Sequence, residues 1–188
     1  GKSQLVSIFF PAWFLGRNPN KKVMMVSHTT DLAVDFGRKV RNLISTDEYQ
    51  AIFPTVQLAS DSKSAGRWNT NSGGEYYACG IGSSIAGRGA DLLLVDDPHS
   101  EQDVINGNFG VFEKAYEWFT YGARTRLMPG GRVAIIQTRW HMDDLTGRVT
   151  KDMGQNEKAD RYDVVEFPAI LDIISKKTKK SEQKPLWP

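Results

Sequence analysis

Apolar and polar positions follow two rhythms along this chain. Lys22-Val-Met-Met-Val-Ser27 is a short β-like run. From Thr30 onward Leu32, Phe36, Val40, Leu43 and Ile44 recur at helical spacing, with Thr29 or Thr30 as the N-cap. Glu75-Tyr-Tyr-Ala-Cys-Gly80 and Asp91-Leu-Leu-Leu-Val-Asp96 are predicted strands, and the second is apolar without alternation, as a strand covered on both faces should be. Phe109 to Leu127 is predicted as a helix rich in aromatics, Arg132 to Thr138 as another buried strand, Asp143 to Met153 as a helix, and Tyr162 to Phe167 as a last strand. Strands separated by helices imply an α/β protein with a mainly parallel sheet. Such sheets bind ligands beyond the carboxyl ends of their strands, so the polar residues after each buried strand are the place to look for chemistry.

Composition narrows the picture. The chain has 188 residues, 40% of them hydrophobic and 24% charged, which suits one folded domain with a real core and excludes disorder. Its single cysteine, Cys79, excludes an intramolecular disulfide, offers no zinc-ligand set and points to a reducing compartment. The longest apolar runs, such as Leu92 to Val95, are far too short to span a bilayer. Gly1-Lys2-Ser3-Gln4 has no initiator Met and does not read as a secretory signal, so the chain reads as an internal piece of a longer one. The net charge of +2 hides a pattern of +5 over residues 1–45, −7 over 46–118 and +4 over 119–188. That order fits a nucleic-acid face beside a metal-binding centre, and fits an ordinary solvated surface as well. Ser175 to Pro185 carries five lysines without apolar periodicity and reads as a loop or linker.

Three elements can carry chemistry. Gly1-Lys2-Ser3, running into the helix-like Gln4 to Phe10, has the form of the end of a phosphate-binding loop, G-x-x-x-x-G-K-[ST]. There glycine admits backbone N–H groups to phosphate, lysine meets the β/γ oxygens and the hydroxyl binds magnesium. The tripeptide alone occurs by chance in many proteins. Leu92-Leu-Leu-Val-Asp96-Asp97-Pro98 ends an apolar strand in two carboxylates, suited to holding a magnesium shell and orienting an attacking water, or simply to a turn. Ile135-Ile-Gln-Thr138-Arg139-Trp140-His141 again sets polar residues after a buried strand: Thr138 could sense a terminal phosphate, or cap the next helix.

In this order the elements resemble the ATPase domain of the large terminase subunit of tailed bacteriophages, over nearly the whole chain. The residues that carry the likeness are Phe10-Pro-Ala-Trp13, Val26-Ser-His-Thr29, Gly66-Arg-Trp-Asn69, Gly87-Arg-Gly-Ala-Asp-Leu-Leu-Leu-Val-Asp-Asp-Pro98 and Thr138-Arg-Trp-His141. The resemblance implies a P-loop NTPase-like three-layer fold, with ATP and Mg²⁺ as ligands. It also implies hydrolysis coupled to translocation of double-stranded DNA into a procapsid. Implied partners are a portal ring, a small terminase subunit and further copies in a ring, in the host cytoplasm and without a membrane. Gly1, Lys2 and Ser3 match the end of Walker A, Asp96 the magnesium-associated Walker B acid, Asp97 the position of the catalytic glutamate, and Thr138 the coupling motif. Two departures stand out. The front of Walker A and its preceding strand, expected beside the Walker B strand, are absent from the sequence, and the catalytic acid is one methylene shorter than the usual Glu. Residues 1–174 would be the motor domain and 175–188 a linker toward an absent nuclease domain, and this stretch alone is expected not to hydrolyse ATP. A helicase-like translocase and a non-catalytic nucleic-acid-binding module with the same fold are the alternatives.

Other residues read less sharply. Arg88, between Gly87 and Gly89, could present a guanidinium to a phosphate across a subunit boundary, or pair with a nearby carboxylate. Trp13, Trp68, Trp118 and Trp140 are expected in core or interface packing rather than base stacking. His28, His99 and His141 are too scattered to argue for a metal site.

Overall fold

The structure, a computed structural model, describes residues 1–61, 64–168, 170–174 and 181–185, the last two stretches as backbone only. The chain divides into two compact units, Gly1–Lys151 and Asp152–Pro188. The first opens on a π-helical turn, Gln4–Phe9, that continues into α1 (Phe10–Arg17). There follow β1 (Lys22–Ser27), α2 (Thr30–Ile44), α3 (Asp47–Ile52), β2 (Arg67–Asn69), β3 (Glu75–Gly80), β4 (Ala90–Asp96), α4 (Glu101–Ile105) and α5 (Gly110–Glu117). From α5 the helix runs on without a break through a π turn (Trp118–Ala123) and a 3₁₀ turn (Arg124–Arg126) into β5 (Leu127–Ile136), and α6 covers Leu145–Gln155. In the second unit β6 (Ile170–Ile174) pairs antiparallel with β7 (Ser181–Pro185).

One five-stranded sheet organises the first unit, in the order β2-β3-β1-β4-β5. Every pairing except β2 with β3 is parallel. β4 lies between β1 and β5, which is why Leu92 through Val95 can all be apolar and all buried. On one face Val23, Met25, Leu92, Leu94 and Tyr76 join Ala12, Leu15, Phe36, Val40 and Ile44 in a single core. The alternate residues Met24, Val26, Leu93 and Val95 are equally buried on the other face. α2 forms where its pattern predicts: the Thr29 hydroxyl accepts from the Leu32 amide at its start, Asp31 sits in its first turn, and Ala33, Phe36, Gly37, Val40 and Ile44 make its buried stripe. Among the described residues no helix is long and apolar enough to cross a membrane.

Several expectations need correction. Residues 162–167 form no strand; Val164, Val165 and Phe167 are exposed, and the segment pairs with no other among the described residues. β5 starts at Leu127 and is half-exposed rather than buried, because β4 is its one neighbour and the sheet ends there. Ala90 pairs with Leu127 and Leu92 with Arg132, so residues 128–131 bulge outward around Pro129 and Gly130, whose φ is 77°. Both flanks of β4 are taken, so the strand expected beside it has no place there; the margins of the sheet are β2 and β5. Of the lysine-rich stretch expected as a linker, residues 175–180 and 186–188 lie outside the described residues, and Ser181–Pro185 is β7. Among the tryptophans, Trp68 is fully buried and Trp118 donates to the Ser83 carbonyl, while Trp13 and Trp140 are exposed.

Trp68 anchors the β2 side of the core. Its ring stacks on Tyr76 at 4.9 Å and its Nε1–H donates to the Gly37 carbonyl at 3.2 Å. Trp68→Ala should therefore lower unfolding free energy by about 3–5 kcal/mol, measured by urea denaturation, since it removes a large buried ring together with its stacking contact to Tyr76.

Candidate functional site

The site forms where β1, β4 and β5 end together and the first helix begins. Asp96 is the last residue of β4 and is completely unexposed. Its Oδ2 accepts the Ser7 hydroxyl at 2.6 Å and its Oδ1 the Ser3 hydroxyl at 3.3 Å. Burial raises the pKa of this carboxyl; the bond from Ser7 opposes the rise, Asp97 adds to it, and Ser3 and Lys2 again oppose it. Lys2 lies one residue before Ser3 and donates from Nζ to the Thr138 hydroxyl at 2.9 Å. Residues separated by 136 and 93 positions thus meet as two pairs, Lys2 with Thr138 and Ser3 with Asp96.

Asp97 occupies the centre of the three strand ends. Its amide donates to the Ile136 carbonyl of β5 at 2.8 Å, and its Oδ1 accepts the Thr138 amide at 3.1 Å. Its own carbonyl turns back to His28, just after β1. To make all three ties its backbone takes a φ of 44°, which costs a non-glycine residue on the order of 1–3 kcal/mol, with Asp among the side chains that tolerate it best. Gly1 is exposed, its carbonyl accepting from the Leu5 amide as the helix begins.

Arg88 is not part of this cluster. Its guanidinium lies over the Tyr77 ring at 3.8 Å and donates to Glu75 Oε1 at 3.2 Å, an oxygen shared with Arg67. Glu75 begins β3 while Asp96 ends the parallel β4, so the pair sits at the opposite end of the sheet. Of the two readings of Arg88, the geometry shows the carboxylate pair.

Beyond Thr138 the chain wraps around a second buried carboxylate, Asp144. Its Oδ2 takes Arg139 Nε at 2.8 Å and the amides of Trp140 and His141 at 3.2 and 3.4 Å, and its Oδ1 takes the Gly147 amide at 2.9 Å. This is an N-cap, which is why α6 starts at Leu145 and not at Asp143. The turn is closed tightly enough that a Cβ on residue 147 would run into the Met142 carbonyl.

Against this geometry, the family model for the N-terminal part of the T4-like type of large terminase subunit matches residues 1–172. The chain belongs to the terminase large-subunit family. No curated protein sequence matches it. Membership gives the terminase chain a role in viral DNA packaging, with DNA and the packaging machinery as partners in general.

The donor set around Asp96 suits a hard cation. Carboxylate and hydroxyl oxygens from Asp96 and Ser3 stand 3.3 Å apart, the kind of sparse all-oxygen set from which Mg²⁺ is held together with water and phosphate. Among the described residues no group of three His, Cys, Asp or Glu is placed to hold a metal ion.

The histidines serve otherwise. His99, two residues after Asp97, is buried against Phe112, and its Nε2 accepts the Leu145 amide at 3.0 Å, tying the end of β4 to the start of α6. Burial pushes its pKa down to about 4, against the pull of Asp144 and Asp103. Nothing in its spacing signalled this; the only hint is its place just after a buried strand. An unfolded histidine near 6.5 binds a proton that folded His99 refuses until about pH 4, so the unfolded state holds more protons between these values and stability falls as pH drops through them. Denaturant midpoints taken from pH 7 to pH 4.5 should show this loss, on the order of 3 kcal/mol if His99 acted alone. His99→Gln, which keeps an acceptor without a charge to gain, should flatten the curve; an equal slope in that variant would remove His99 as its cause.

Proposed function

We propose that this chain is the motor domain, over residues 1–174, of a packaging enzyme that hydrolyses Mg-ATP to drive double-stranded viral DNA into a procapsid. What supports the reading is the meeting of Lys2 and Ser3 with Thr138 and Asp96, the arrangement that phosphoryl transfer needs at one strand edge. Its working partners would be a portal ring, a small terminase subunit and further copies in a ring, in the host cytoplasm.

The roles follow from the contacts. Lys2 brings an ammonium to the mouth of the site and binds phosphate oxygens, exchanging its bond to Thr138 for them. Ser3 and Asp96 would hold Mg²⁺, which when bound would neutralise charge on the transferring phosphate. Ser7 keeps the Asp96 carboxylate in place from the side. Asp97 uses Oδ1 for the Thr138 amide, and Oδ2 is the oxygen left to orient a water and take its proton. Thr138 touches both Lys2 and Asp97, so it registers phosphate loss, and the Asp144 turn that follows connects it to α6. Catalysis of this kind is positioning plus charge stabilisation.

The test separates binding from turnover. In the complete protein Asp97→Asn should leave ATP affinity near that of the unaltered enzyme and cut hydrolysis by about 10²-fold or more, while Asp96→Asn should lose the Mg²⁺ dependence of ATP binding. Unchanged phosphate release by Asp97→Asn would remove Asp97 from the mechanism. Strand separation on a tailed duplex would redirect the reading to a helicase-like translocase.

A further inference from the structure

We propose that His28 is the positioning residue that holds Asp97 in its working conformation. β1 and β4 run parallel with Val26 opposite Val95, and their pairing extends one step past both strands. There the His28 amide donates to the Asp97 carbonyl at 3.2 Å, and ring atom Nδ1 reaches the same oxygen at 3.0 Å. A carbonyl only accepts, so Nδ1 is the ring nitrogen that carries the proton in this bond. Both lone pairs of that carbonyl are then used by one residue.

The need for such a tie comes from the Asp97 backbone. A φ of 44° is unfavourable for any side chain but glycine, and the following residue is Pro98, which steers its predecessor toward extended conformations. Released, Asp97 would relax to that extended region and its carboxylate would swing away from the Thr138 amide. The amide of Asp97 is fixed to β5 through Ile136, so the carbonyl end is where the residue could turn. His28 closes that end. The imidazole therefore acts on the reaction through Asp97, without touching the reacting atoms.

The proposal rests on the reading of Asp97 as the group that orients water, and the experiment keeps the two separable. It uses the complete protein with three variants. Asn places an N–H donor where Nδ1 stands, Gln places one where Nε2 stands, and Ala places none. For Mg-ATP hydrolysis, His28→Ala and His28→Gln should lower kcat by about 10–100-fold with KM within about threefold, the signature of a misplaced reacting group, and His28→Asn should restore most of the rate. Nuclear magnetic resonance of the same proteins without nucleotide supplies the independent readout. The Thr138 amide proton should move upfield in the Ala and Gln variants, as its bond to Asp97 Oδ1 is lost, and stay in place in the Asn variant. The ring nitrogens of the unaltered protein should report a proton on Nδ1.

An unmoved Thr138 amide in His28→Ala overturns the proposal, and so does rescue by Gln as full as rescue by Asn. If the unaltered protein hydrolyses no ATP while the Thr138 pattern comes out as expected, the reading of Asp97 fails and the His28 tie stands.

Discussion

A carboxylate taken wholly out of water at the end of an apolar strand is the constraint around which the first unit is arranged. Removing an ion from solvent costs several kcal/mol unless hydrogen bonds or an opposite charge compensate. Asp96 has two hydroxyl donors, Ser7 and Ser3, and its raised pKa shows that they compensate only in part. The residual cost is what a cation held there, as proposed for Mg²⁺, would offset. It also dictates the local architecture. The first helix must bring two hydroxyls four residues apart to one carboxylate, so it docks with Ser7 buried among apolar neighbours, and Lys2 is carried to Thr138 as a result.

The other polar groups form a chain of short ties rather than a single pocket. His28 holds the Asp97 carbonyl, Asp97 holds the Thr138 amide, and Asp144 gathers Arg139, Trp140, His141 and Gly147. His99 closes the path from β4 to α6 on the other side. Apart from the side-chain pair of Arg139 and Asp144, these links run through backbone atoms. If Thr138 has the proposed coupling role, these ties are the contacts through which an event there would reach α6.

Much of the scaffold could be read from the chain. β1 and β3 are short apolar runs closed by lysine, serine or glycine, and their observed limits are the expected ones. Thr29 announces α2 as a side-chain cap. The strand at residues 132–136 was legible too, but not its exposure, because Val133 to Ile136 would read the same at a sheet's centre or margin. Neighbours decide that, and they are set by topology. The segment 162–167 shows the converse, a strand-like composition that finds nothing to pair with among the described residues. In the site, Asp96, Asp97 and Thr138 stood out as polar residues after apolar strands. Ser7 did not, since a serine within an apolar helix gives no sign of the carboxylate it meets. His28 stayed hidden because its partner is a backbone carbonyl, which has no sequence signature. Arg88 drew attention through its glycines, while Glu75, brought beside it by the parallel pairing of distant strands, settled where it points.

The closed turn around Asp144 has an implication for how this sequence can drift. Gly147 gives its amide to Asp144, and a side chain there would meet the Met142 carbonyl. Neither residue can change while the other keeps its present geometry: a substituted glycine opens the turn, and a turn without the carboxylate no longer calls for the glycine. In a lineage of related chains the two positions would be retained together or replaced together, so the pair would leave its mark as covariation at a spacing of three.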